Sequence, residues 1–233
     1  MIETDEVRAV VLDIEGTTSS LSFVKDTLFP FARTRLPAFV SEHEGQLGGL
    51  LEEVRTIAGD PTLSAGEITR TLLVWMDEDR KITPLKTLQG LIWKAGYESG
   101  ELRGHVYEDA VRALREWHRN GLAIYIYSSG SVAAQQLLFS HSLHGDLTPY
   151  LSGYFDTTTG PKLEAASYGV IAHSAELAPH SMLFLSDHPG EILAAAAAGM
   201  QALRVDREAA PDAGVSAPVV RSFDELNVRI ARP

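Results

Sequence analysis

Residues 10–17 read VVLDIEGT: an apolar run ends on Asp13, Glu15 follows two residues on, and Gly16 and Thr17 complete the stretch. Two carboxylates this close repel each other, and burial would strip both of hydration. The arrangement becomes favourable when a divalent cation takes part. Further along the chain, Ser128 and Ser129 follow the run LAIYIY, Lys162 follows TTTGP, and Asp187 closes the run SMLFLS with Glu191 four residues later. Carboxylates, hydroxyls and an ammonium group together can neutralise an anion and aim a nucleophile at it.

Each of these residues also has a plainer explanation. An Asp after a strand makes Asx turns or caps a helix. The SSGS of 128–131 reads most simply as an N-cap. A lysine opening a helix is ordinarily solvated. Asp187 could be a second cap, and Glu191 a first-turn acid set against the helix dipole.

The elements that must position these groups alternate. VRAVVLD (7–13) has the continuous β-branched character of a strand buried on both faces. Further strands are expected at 122–128, 152–156, 181–187 and 201–205, with helices between them at YEDAVRALREWHRN, stopped by Gly121, and at SVAAQQLLFSHS, KLEAASYGVIAHSA and GEILAAAAAGM. The alanine run is a helix rather than low complexity, since Ala is the best helix former and Gly199 a natural stop. Ser222 and Glu225 are placed to cap a last turn. Strands alternating with helices imply a parallel sheet in a three-layer α/β/α sandwich. In such a sheet Asp13, Ser128 and Asp187 share the carboxyl-end edge, where open α/β sheets bind ligands.

Residues 22 to about 103 carry only helical spacing, interrupted at Pro30 and Pro37, with a capping box at Ser64 and Glu67 and an N-cap at Thr83 before Pro84. The expected organisation is a core of residues 1–20 and 104–233 with a helical cap of 21–103 inserted after the first strand. Trp93, Phe23 and Leu28 are candidate apolar contacts of that cap, though core packing is the favoured reading of each. Lys86 reads as a solvated helix lysine, His141 and His144 as surface residues, and His188 stays unassigned.

Composition removes several function classes. A net charge of −11 disfavours nucleic acid, which demands a basic footprint. With no cysteine, disulfides, thiolate nucleophiles and thiolate-bound zinc are excluded, and a reducing compartment fits. No apolar run approaches the roughly 20 residues of a membrane span, and the N-terminal MIETDEVRAVV is acidic where an export signal would be basic. A cytoplasmic monomer acting on a small molecule is the expectation.

Order and spacing go further. Asp-x-acid-Gly-Thr on the first strand, Ser after the next, then Lys, then Asp with an acid four residues on, resembles the haloacid dehalogenase superfamily of aspartate-nucleophile phosphotransferases. DIEGTT, FVKDTLFPFAR, LQGLIW, GELRGHVYEDA, YIYSSGS, GYFDTTTGPKLEAASY and LFLSDHPGEILAAAAAG resemble, more narrowly, the enolase-phosphatases (acireductone synthases) of methionine salvage. Two positions depart from that pattern: Thr158, where a basic residue is expected, and His188, where a neutral polar residue is commoner.

The resemblance implies a magnesium-dependent, bifunctional enzyme with a Rossmann-like core. Its substrate would be 2,3-diketo-5-methylthiopentyl-1-phosphate, first enolised and then dephosphorylated to the acireductone 1,2-dihydroxy-3-keto-5-methylthiopentene. Asp13 would attack phosphorus and form an aspartyl-phosphate. Glu15 would protonate the leaving oxygen, later deprotonate water, and is the first candidate for the enolisation base. Asp13, Glu15 and Asp187 would hold Mg2+, Ser128, Ser129 and Lys162 would hold the phosphoryl group, and Glu191 would orient that shell or pair with Lys162. A phosphatase of another small phosphorylated metabolite is the near alternative. A dehalogenase, which needs no acid for its leaving halide and no phosphate cradle, and a non-catalytic binding protein fit these residues less well.

Overall fold

A computed structural model describes residues 1–208 and 219–231. Among them lie the strands β1 (Ile2–Glu3), β2 (Ala9–Leu12), β3 (Ala123–Tyr127), β4 (Gly153–Phe155), β5 (Met182–Ser186), β6 (Gln201–Val205), β7 (Val219–Val220) and β8 (Leu226–Asn227). Six form one sheet in the order β4-β3-β2-β5-β6-β7, every pairing parallel, and β1 pairs with β8 separately. Ala9–Leu12 sit in register with Ala123–Ile126 on one side and Met182–Leu185 on the other. All side chains of β2 and β5 are buried, which is why both segments read as unbroken apolar runs. The short strands β1, β7 and β8 go beyond the sequence expectation; at two residues each they carry no periodicity to find.

Packing divides the chain into two compact units, residues 1–21 with 103–233, and residues 22–102. The helical stretch opens with α1 (Leu21–Phe23), passes through a π-helical turn (Val24–Leu28) into α2 (Phe29–His43), and continues as α3 (Gly48–Ala58), α4 (Ala65–Asp77) and α5 (Thr83–Ser99). Its own core includes the fully enclosed Leu36, Leu72 and Leu88. Neither proline breaks the run as the sequence suggested. Pro30 falls in the first turn of α2, where a missing N–H costs least. Pro37 lies inside α2 on an exposed face, where the carbonyl its ring leaves unpaired can turn to water. The Ser64–Glu67 capping box forms as expected. The N-cap of α5 is Ile82 rather than Thr83, which begins the helix, and α5 ends at Gly100 with φ +79°. Trp93 donates its indole N–H to the Leu28 carbonyl at 2.8 Å and meets Phe29 edge-on, while Lys86 is exposed.

Crossovers in the other unit are α6 (Glu108–Arg119), α7 (Val132–Ser140), α8 (Ala165–Ser174) and α9 (Pro189–Ala197), which complete the three-layer α/β/α fold. α9 is the alanine run. It buries Ile192, Ala194 and Ala195 and packs on β5 and β6, its short side chains allowing a close approach. Tyr168 of α8 lies edge-on to both Tyr127 and Phe184, tying helix to sheet in the main core. No helix among the described residues is long and apolar enough to cross a membrane.

Candidate active site

Because every strand of the sheet runs the same way, Asp13, Ser128 and Asp187 follow the ends of β2, β3 and β5 on one edge. Lys162 joins them from the turn before α8, three residues ahead of that helix rather than at its start. Its Nζ lies 2.5 Å from Asp13 Oδ1 and 2.8 Å from Glu191 Oε2, all three side chains being almost fully enclosed. Ser186 donates its hydroxyl to Glu191 Oε2 at 2.8 Å. Neither Asp13 nor Glu191 is therefore merely a turn residue or a helix-dipole acid.

The lysine turn is itself fastened. Tyr168 donates to the Lys162 carbonyl at 2.7 Å, Ser167 to the Pro161 carbonyl at 2.7 Å, and Tyr127 to the Gly160 carbonyl at 2.8 Å. Nζ also lies 5.6 Å from the Tyr127 ring centroid. A buried ammonium held in this way cannot swing out to water.

The turn after β2 joins the two acid-bearing loops. Thr17 Oγ1 donates to Asp13 Oδ2 at 3.1 Å and accepts from the Asp187 amide at 2.9 Å, while Thr18 Oγ1 donates to the Asp13 carbonyl. Gly16 has φ +78°, and a Cβ there would fall on the Asp187 carboxylate, its Cγ only 2.7 Å away. Glycine is required at this position on both counts. Asp187 is no helix cap, because the N-cap of α9 is His188, whose Nδ1 accepts from Gly190 N. The unassigned histidine is thus a capping residue.

Ser128 is buried, its Oγ accepting from Gly130 N at 3.3 Å, and Ser129 is exposed. The cap of α7 is Ser131, and Asp156 takes the Val132 N–H. That helix end is therefore already partly satisfied, and the 128–130 loop precedes it. Glu15 is exposed while Asp13 is buried, so the two acids do not share one desolvation penalty. Thr158 closes an Asx turn on Asp156. His141 and His144 are half-buried rather than on the surface, with His144 Nε2 3.1 Å from the Val106 carbonyl.

Electrostatically the edge is short of positive charge. Burial raises the Asp13 carboxyl above its ordinary value, with Lys162 opposing and Glu191 adding to the rise. Asp187 is pushed up to about 6, by burial first and then by repulsion from Asp13 and Glu191. Burial would lower Lys162, but the two carboxylates outweigh it and hold the ammonium protonated. One lysine against three carboxylates leaves an excess that a divalent cation would offset. Among the described residues no three acidic or imidazole groups form a closed metal cage. Asp13 and Asp187 offer hard carboxylate oxygens of the kind magnesium takes, with water and substrate able to supply the rest. The donor set fits.

Sequence reading passed over several supporting groups. Arg204 donates from Nε to the Asp187 carbonyl at 3.1 Å, and Arg207 grips the Thr17 carbonyl. Gln135 donates to the carbonyls of Gly130 and Phe155, bracing the serine loop. Their hold on the site itself is through main-chain carbonyls, of which side-chain spacing carries no trace.

Comparison with known proteins gives the family. The family model for haloacid dehalogenase-like hydrolases matches residues 7–199. The chain is 51% identical over 227 residues to enolase-phosphatase E1 of Parvibaculum lavamentivorans, covering 97% of each chain. It is 52% identical over 204 residues to enolase-phosphatase E1 of Methylococcus capsulatus, covering 87% of this chain and 90% of that one. The crystal structure of the UTR4 protein of Saccharomyces cerevisiae is similar with a TM-score of 0.81 at 33% identity, over 95% of this chain and 100% of the other.

Proposed function

We propose, for a chain that belongs to the haloacid dehalogenase-like hydrolases and to their enolase-phosphatase E1 branch, that it converts 2,3-diketo-5-methylthiopentyl-1-phosphate to the acireductone and phosphate. The observation that carries this reading is the buried chain Asp13–Lys162–Glu191 beside Asp187 at the carboxyl edge of the sheet.

A proton first leaves the carbon beside the diketone, and we assign its removal to Glu15. Asp13 then bonds to phosphorus as the bond from phosphorus to the substrate's C1 oxygen breaks, with Glu15 protonating that oxygen. Water cleaves the acyl phosphate, Glu15 taking its proton and passing it to the C2 enolate oxygen of the product, so that Asp13 and Glu15 are both regenerated. Lys162 holds the nucleophile in place and offsets charge on the phosphoryl oxygens, which Ser128 and Ser129 also bind. Asp13, Glu15 and Asp187 would hold magnesium, whose charge offsets that of the phosphoryl group. Glu191 fixes Lys162. The helical segment 21–103 is assigned the part of a substrate-selecting cap on the core of 1–20 and 104–233. The setting is cytoplasmic, in accord with the absence of cysteine, and the active form a monomer.

The test is to supply the diketo phosphate with magnesium and follow ultraviolet absorbance together with phosphate release. A conjugated enol arising before or with phosphate supports both steps. Phosphate without that chromophore reduces the protein to a phosphatase of another metabolite, and no phosphate at all refutes the reading.

A further inference from the structure

We propose that Arg207 is a positioning residue for the nucleophile, acting through Thr17; the claim rests on the reading of Asp13 given above. The Arg207 side chain is only 9% exposed and spends its donors on fixed acceptors. Nε and Nη2 both reach the Thr17 carbonyl, at 3.1 and 2.7 Å. Nη1 reaches Asp109 Oδ2 at 2.5 Å. The guanidinium lies 4.3 Å from the Tyr107 ring centroid and 5.0 Å from that of Phe223. Asp109, in the first turn of α6, is anchored in turn by the Ser222 hydroxyl at 2.8 Å and the Phe223 amide at 2.7 Å.

This frame sets Thr17, and Thr17 sets the site. Its hydroxyl donates to Asp13 Oδ2 and accepts from Asp187 N, so one side chain fixes the nucleophile against the loop of the second acid. A displacement of Thr17 is passed to both. Lysine could supply the charge but not the planar fork that grips one carbonyl twice while lying beside two rings. Misplacement of a reacting group by a fraction of an ångström lowers the rate without altering the groups present.

The experiment compares Arg207→Lys, Thr17→Val, Thr17→Ser and the double variant Arg207→Lys/Thr17→Val in the magnesium-loaded enzyme, with folding checked by urea titration. Arg207→Lys is expected to lower kcat about tenfold or more with KM within about twofold. Thr17→Val falls, and Thr17→Ser, which keeps the hydroxyl, is expected to lose clearly less. The double variant is expected to be no slower than Thr17→Val, because both changes break one connection. Wild-type kcat in a folded Arg207→Lys protein, or losses that multiply in the double variant, would overturn the proposal. Should Arg207→Lys fail to fold, Thr17→Val alone decides: a rate near wild type sinks the claim. A separate readout is hydrogen exchange at the Asp187 amide, expected to quicken about tenfold in Arg207→Lys, with unchanged exchange counting against the claim. That measurement stands even if the wild type releases no phosphate from the diketo substrate, so the two readings fail distinguishably.

Discussion

Asp13 and Lys162, 149 positions apart in the chain, are joined by a 2.5 Å ion pair that is almost wholly enclosed, and Glu191 shares the same ammonium at 2.8 Å. Removing the cation therefore does more than weaken phosphate binding. It leaves two carboxylates facing each other without water.

Lys162→Met should cost about 3–5 kcal/mol of stability, the range for breaking one side of a buried ion pair, and lower kcat by roughly 10²-fold. Urea unfolding and phosphate release measure the two effects. A variant as stable and as fast as wild type would contradict the pairing.

Gly16→Ala should be harmful on two counts. The positive φ disfavours a side chain, costing upwards of about 1 kcal/mol, and the new methyl would displace the Asp187 carboxylate. The expected signature is a rise in the magnesium concentration needed for half-maximal activity, read from a metal titration. An unchanged titration would mean that Asp187 does not serve the cation.

The sign of the Asp187 shift yields a prediction for metal-free protein. Its folded pKa, about 6, lies above the ordinary 3.8, so the folded state holds the proton more tightly and stability falls as pH rises between those values. Asp187→Asn should accordingly melt higher than wild type at neutral pH in chelator. Magnesium should raise the melting temperature of wild type and leave the variant unmoved. Equal responses of both proteins to magnesium would exclude Asp187 as a ligand.

Asp109 behaves in the opposite sense. Burial would raise it, but the Phe223 amide and Arg207 together bring it below its ordinary 3.8. Its contribution is complete above that value and lost as pH falls through the lower folded pKa. The stability gap between wild type and Asp109→Asn should hold steady at neutral pH and close in strong acid, as followed by urea titration across pH.

The sheet and its edge residues were legible because buried parallel strands leave continuous apolar runs and because polar groups at their ends stand out against them. Asp13, Ser128 and Asp187 stand out in this way; Lys162 and Glu191 enter through the order and spacing that carry the resemblance, and the structure pairs both of them around Asp13. Glu15 shows the limit: its two-residue spacing suggested shared burial with Asp13, yet turning the chain at Gly16 leaves it exposed. Pro37 shows another, since a ring on the exposed side of a helix is tolerated where the pattern alone signals a break. Arg204, Arg207 and Gln135 were invisible as parts of the site because they reach it through carbonyls, which every residue owns.

The middle of the sheet pairs residues 9–12 with residues 182–185. A ribosome thus completes most of the polypeptide before β2 gains its second neighbour, and until then that strand offers an open hydrogen-bonding edge to any passing chain. Truncated translation products ending before residue 182 should be both inert and prone to clumping, so the yield of working enzyme in a cell would depend on chaperone supply as much as on final stability.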